Sequence, residues 1–303
     1  MEACVSGLNG SPGKTVCRKA PEVRILPLPY KVNNIEDDRI VSFYLMTIKL
    51  DRAKEHLQEL KDEVNKFSLT NPYIVATKLD PQSQRRIYYI DNVKVIPPRI
   101  AAISGDVIQN LRAALDHLAY QLVTRTGTVP SAHIYFPIAD DATKYAKQKG
   151  AQTQGMPPGA LKIIDALKPY RGGDDVLWKL HKLSIVDKHR TILVVGSAFN
   201  SMNIGNHLQQ TMKTAIPDNP AFSEGIPKLD LFIRPADRLF PLRPGTELFI
   251  DEPNARPIPK MQFVFDIAFG EKGVINGEPL IETLNEMINI VERIMLSFPN
   301  IQY

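Results

Sequence analysis

The chain has 303 residues, 44% hydrophobic and 23% charged, enough to enclose a substantial core in one large domain or two interlocked layers. Its 37 basic and 33 acidic residues leave a formal charge of +4. This mild excess is compatible with a phosphate-bearing partner but falls well short of the basic stripe of a dedicated nucleic-acid binder. Cys4 and Cys17 are not spaced as a CxxC pair and are too few for a disulfide framework, so a reducing cytoplasm is expected. The longest apolar run, Ile40 to Ile48, is broken by Ser42 and Thr47 and is far shorter than the roughly 20 residues of a membrane helix. The start Met-Glu-Ala-Cys lacks the basic and apolar regions of a secretion signal, so neither membrane insertion nor export is expected.

Residues 1–35 read as a flexible segment rich in Gly, Pro and Ser. Gly13-Lys14-Thr15 within it fails as a phosphate loop, because the first glycine should fall where Leu8 stands and neither a strand nor an amphipathic helix flanks it. From about Val41 to Phe67, Phe43, Met46, Leu50, Ala53, Leu57, Leu60 and Val64 recur in three- and four-residue steps, which predicts a long amphipathic helix ended by Asn71-Pro72. Tyr73 to Lys78 and Arg85 to Ile96 read as a β-hairpin around Asp80-Pro81-Gln82-Ser83. After Pro97-Pro98, a helix capped by Ser104 or Asp106 is expected to run to near Gly127.

Shorter helices are predicted over Asp141 to Lys149 and Gly159 to Leu167, followed by a buried one from Asp174 or Asp175 to His189. Thereafter the texture changes. Ile192 to Ala198, Gln209 to Ala215, Leu229 to Ile233, Glu247 to Ile250 and Gln262 to Phe269 are candidate strands of an antiparallel sheet. A last helix opens with Pro279 in its first turn, carries Leu280, Leu284, Met287, Val291, Ile294 and Phe298 on one stripe, and ends at Pro299. The fold class is α+β, a helical bundle with an antiparallel sheet and hairpin. A single intertwined domain is expected over 36–303, helix-rich to 190, strand-rich over 191–270 and closed by the helix at 279–298.

Two ionisable clusters carry the candidate chemistry. Ile108, Leu111, Leu115, Leu118 and Leu122 form a core stripe. Arg112 and Asp116, four apart on one shoulder of it, can pair, while Asn110, His117 and Gln121 line the other. On a later helix Asp187 projects to the Leu180 face, where a carboxylate needs a partner. Arg112 or His117 is the natural candidate, and Lys188, His189 and Arg190 meet the negative helix terminus. Functionally, His117 suits a general acid or base and Arg112 the stabilisation of a phosphate transition state, with Asp116, Asp187 and His189 completing the site. Structurally, the same residues form a border ion pair and an interhelical network. Asp116, His117, Asp187 and His189 could also ligate a metal, although neither cluster has the spacing that puts two ligands on one helical face. No cofactor is expected. His56, His133, His181 and His207 read as surface or packing residues.

The pattern Gly105-Asp106, Asn110-Leu111-Arg112, Leu115-Asp116-His117-Leu118-Ala119, Phe136-Pro137-Ile138 and Asp187-Lys188-His189-Arg190 resembles a set of bacterial proteins that has no established activity. The early Leu50-Asp51-Arg52-Ala53 and Asn71-Pro72-Tyr73 extend that likeness over residues 40–195. Arg112-x-x-x-x-His117 also resembles the Arg-to-His signature of HEPN domains, helical modules that include metal-independent, often dimeric ribonucleases. That resemblance implies Arg112 and His117 as the catalytic pair, RNA as the partner and a homodimer. Three functions are therefore open: a HEPN-like RNA-binding protein or ribonuclease, a non-catalytic binding or assembly protein in which the Arg/Asp/His network is structural, and a metal-dependent hydrolase.

Overall fold

Periodic burial shapes the first helix. The computed structural model describes residues 35–199, 202–203, 232–233, 239–250 and 263–298. The described residues from Arg39 onward belong to one compact unit. Helix α1 (Ile35–Ser68) buries Met46, Leu50, Ala53, Leu57 and Leu60 of the stripe its spacing predicts and Phe67 in addition, with Val64 half-buried and the side chain of Phe43 outside the described residues. It is followed by Asn71 in the left-handed region at φ 49 and then by Pro72, which turn the chain into β1 (Tyr73–Leu79). β1 pairs antiparallel with β2 (Arg86–Val93), and the Asp80 carboxylate closes their turn by accepting from the backbone N–H groups of Gln82 and Ser83 at 3.3 and 3.2 Å.

Helix α2 (Pro98–Thr124) begins earlier than the expected caps Ser104 and Asp106. Pro98 occupies its first turn, where a fixed φ suits the helix and the missing N–H costs nothing. Ser104 Oγ instead donates to the Ile100 carbonyl at 2.7 Å inside the helix, and Ile100, Ile103 and Val107 carry the buried face through the supposed boundary. Local caps do set α3 (Ala142–Gln152) and α5 (Asp175–His189): Asp141 accepts from Lys144 N at 2.8 Å and Asp174 from Leu177 N at 3.0 Å. Between them, α4 (Pro158–Leu167) starts on a proline and ends at left-handed Lys168. α6 (Leu280–Leu296) buries its predicted stripe, although Pro279 flanks the helix rather than opening its first turn.

Helices α2, α5 and α6 pack on one another, and their apolar faces join that of α1 in one core. Each fully buried Leu or Ile in it contributes about 1.5–3 kcal/mol. Among the described residues two three-stranded antiparallel sheets accompany this bundle, so the fold is α+β. β3 (Val194–Phe199), β7 (Val264–Glu271) and β8 (Ile275–Pro279) form one sheet in the order β3-β7-β8. β6 (Glu247–Ile250) does not join it but pairs with β2, completing a β1-β2-β6 sheet around the hairpin. β4 (Met202–Asn203) and β5 (Phe232–Ile233) pair with each other.

β8 is missing from the sequence reading, because Ile275-Asn276-Gly277-Glu278-Pro279 has turn composition and becomes a strand only by pairing back on β7 through left-handed Gly273. Residues from both three-stranded sheets form a second core of Tyr73, Ile90, Ala198, Leu242 and Leu248, with the Tyr73 and Phe265 rings 4.6 Å apart. Gly196 is required there, since a Cβ would overlap the Tyr73 hydroxyl. The candidate strand Gln209 to Ala215, the first three residues of Leu229 to Ile233, and the 1–34 segment with its cysteines lie outside the described residues. Among the described residues no helix is long and apolar enough to cross a membrane.

Candidate functional site

The order of contacts makes α2 and α5 antiparallel: Gly105 meets Asp187, Gln109 meets Ser184, and Arg112 lies in electrostatic range of His181. A polar seam thereby runs through an otherwise apolar helix contact. At one end Gly105 leaves room for the Asp187 carboxylate, which a Cβ there would displace. Gln109 Nε2 donates to the Ser184 carbonyl at 2.8 Å and to Asp187 Oδ2 at 3.1 Å. The partner of Asp187 is thus this amide, not Arg112 or His117 as its position on α5 suggests.

Further along, Arg112 Nη2 is 2.7 Å from Asp116 Oδ1 and its Nε donates to Oδ2 at 3.2 Å, a bidentate pair. The pair clasps the backbone of fully buried Phe136: Arg112 Nη2 donates to its carbonyl at 2.9 Å, and Asp116 Oδ1 accepts from its N–H at 3.0 Å. The guanidinium is almost wholly enclosed, the carboxylate less so. Burial lowers the pKa of Arg112 and raises that of Asp116, against the attraction each exerts on the other. Arg112 Nη1 has no hydrogen-bond partner among the described residues.

His181 completes this end of the seam. Its Nδ1 is buried and likewise lacks a partner among the described residues. Burial, followed by the charges of Arg112 and Lys182, pulls its pKa down to about 4, so the ring is neutral at pH 7. Read along the chain, it is one more scattered histidine; three residues after Trp178 and seven before Lys188, it shares their side of α5, but only the helix contact brings Arg112 to it.

The other expected residues disperse. His117 is half-buried, and its side chain makes no hydrogen bond or ion pair with a described residue. His189 is exposed at the end of α5. Arg190 binds both oxygens of Glu271 at 2.8 and 2.6 Å, and the same carboxylate, 3% exposed, accepts from Leu193 N at 2.6 Å. The run Asp187-Lys188-His189-Arg190 therefore faces α2, solvent and β7 in turn rather than one site. Arg112 and Asp116 are brought together; Asp187 and His189 are not brought to them. Among the described residues no three His, Cys, Asp or Glu side chains group as a metal requires. In comparisons with protein-family models, curated proteins and solved structures, none matches this chain.

Proposed function

We propose that the chain is a non-catalytic binding or assembly protein in which the Arg112, Asp116, Gln109 and Asp187 network orders helices and anchors the segment around Phe136. One observation carries this reading: the Nε and Nη2 donors of Arg112 are committed to Asp116 and to the Phe136 carbonyl inside the core. To serve a phosphate through these two donors, the guanidinium would have to leave the half-buried Asp116 carboxylate and the buried Phe136 carbonyl unpaired, each a loss of about 1–3 kcal/mol.

The test is incubation of wild type and His117→Ala with labelled structured and single-stranded RNA in EDTA, with circular dichroism verifying that both are folded. Neither should cleave. Cleavage by wild type that disappears in His117→Ala would overturn the reading in favour of a HEPN-like, metal-independent ribonuclease. That second reading draws on the Nη1 of Arg112, unpartnered among the described residues, and on uncommitted His117 five residues along the same helix, and it retains RNA and a second copy of the chain as partners.

A further inference from the structure

Positive charge is concentrated where the segment after Phe136 meets α3 and α5. Residues 137–190 hold ten Lys and Arg against six Asp, an excess of +4 that equals the excess of the whole chain. At the centre of this region is Asp140, whose carboxylate receives Lys144 Nζ at 2.9 Å, Lys182 Nζ at 2.9 Å and Trp178 Nε1 at 3.4 Å. Lys144 and then Lys182 hold its pKa below the usual carboxylate range, and one carboxylate between two ammonium groups leaves a surplus of positive charge. All three groups reach solvent, their side chains being 53%, 31% and 39% exposed for Lys144, Lys182 and Asp140.

Arg171 adds a third cation, its guanidinium carbon 4.9 Å from the centroid of the Trp178 ring. It is exposed and has no carboxylate partner among the described residues. A guanidinium laid over an aromatic face keeps its edge N–H donors for another ligand, in the planar fork that matches phosphate. His181, three residues after Trp178 on α5, has a buried Nδ1 without a partner among the described residues and lies in the field of Lys182 and Lys188. Surplus charge, an Arg with free edge donors and a buried ring nitrogen without a partner among the described residues suit an external anion better than any described side chain.

We propose that Arg171, Lys182 and Lys144 bind a phosphate group, with Trp178 as the platform that fixes the guanidinium. Arg171 supplies two parallel N–H donors to two phosphate oxygens, and the lysines act as point charges that Asp140 only partly offsets. The site names a ligand chemistry for the binding protein proposed above and does not involve Arg112 or His117. The phosphate belongs either to a free or small-molecule phosphate or to an RNA backbone.

The test is calorimetric titration of the full chain with orthophosphate and pyrophosphate, and separately fluorescence anisotropy with a single-stranded RNA in EDTA. Arg171→Gln and Lys182→Gln should each weaken binding about tenfold, the scale of one charge-assisted contact, with the melting temperature unchanged. Asp140→Asn should strengthen binding. Lys54→Gln, which removes a bridge to Glu292 between α1 and α6, should leave binding unaltered. A response confined to orthophosphate and pyrophosphate identifies a small ligand. Loss of RNA affinity in the same variants, with a salt slope smaller by about one per cation removed, identifies a nucleic-acid backbone. Absence of binding in both arms, or equal binding by wild type and the Arg171→Gln/Lys182→Gln variant, overturns the proposal; the cleavage assay above is unaffected by either result.

Discussion

Replacing Arg112 by Met keeps the aliphatic stem and removes only the guanidinium, which isolates the polar seam. Asp116 then retains the Phe136 N–H as its remaining partner among the described residues, and the Phe136 carbonyl loses its donor in the core. Breaking a buried pair from one side costs about 3–5 kcal/mol, and the 30% exposure of the Asp116 side chain places this case near the lower end, about 3 kcal/mol. For a chain of this size that is a fall of about 6–12 °C in melting temperature. Adding Asp116→Asn removes the stranded charge while its side-chain oxygen still accepts from Phe136 N–H, so the double variant should recover roughly half the loss. Urea unfolding followed by circular dichroism measures both. A single variant within about 1 kcal/mol of wild type, or no recovery in the double, would refute the structural account of this pair.

Gly105→Ala, which by helix propensity alone should stabilise α2 by about 1 kcal/mol, should instead cost about 1–3 kcal/mol because its Cβ meets the Asp187 carboxylate; Asp187→Ser should restore the favourable sign in urea midpoints. His181 has a folded pKa of about 4, below its ordinary 6.5, so the unfolded chain binds more protons between these values. Stability should therefore be full above pH 6.5 and fall on the order of 3 kcal/mol as pH drops to 4, a slope that His181→Gln should flatten; equal slopes in the two proteins would dismiss the buried imidazole as its source. Arg190→Met strands the buried Glu271 carboxylate with only the Leu193 N–H among its described donors, so it should lower the urea midpoint, and adding Glu271→Gln should largely reverse the loss; an unchanged midpoint in the single variant would show that this carboxylate does not need the guanidinium.

Helix identity was legible in the sequence wherever one element carried its own signal. The stripes of α1 and α6, the helix starts near Asp141 and Asp174 and the Asp80 turn depend on neighbours within a few residues, and so does the Arg112–Asp116 pair, four apart on one helix. The start of α2 was misplaced because Ser104 and Asp106 have cap chemistry, whereas continued burial of Ile100 and Ile103 decided the boundary.

Tertiary structure alone decided the partners. Gln109 rather than Arg112 donates to Asp187, Arg190 crosses to Glu271, β6 completes the sheet of a distant hairpin, and Phe136 is the group that Arg112 and Asp116 hold. Each depends on the rotation and register of elements far apart in the chain, set by how their apolar faces interlock rather than by any local pattern. Periodicity assigns a side chain to a face of its own helix; only packing determines what that face meets.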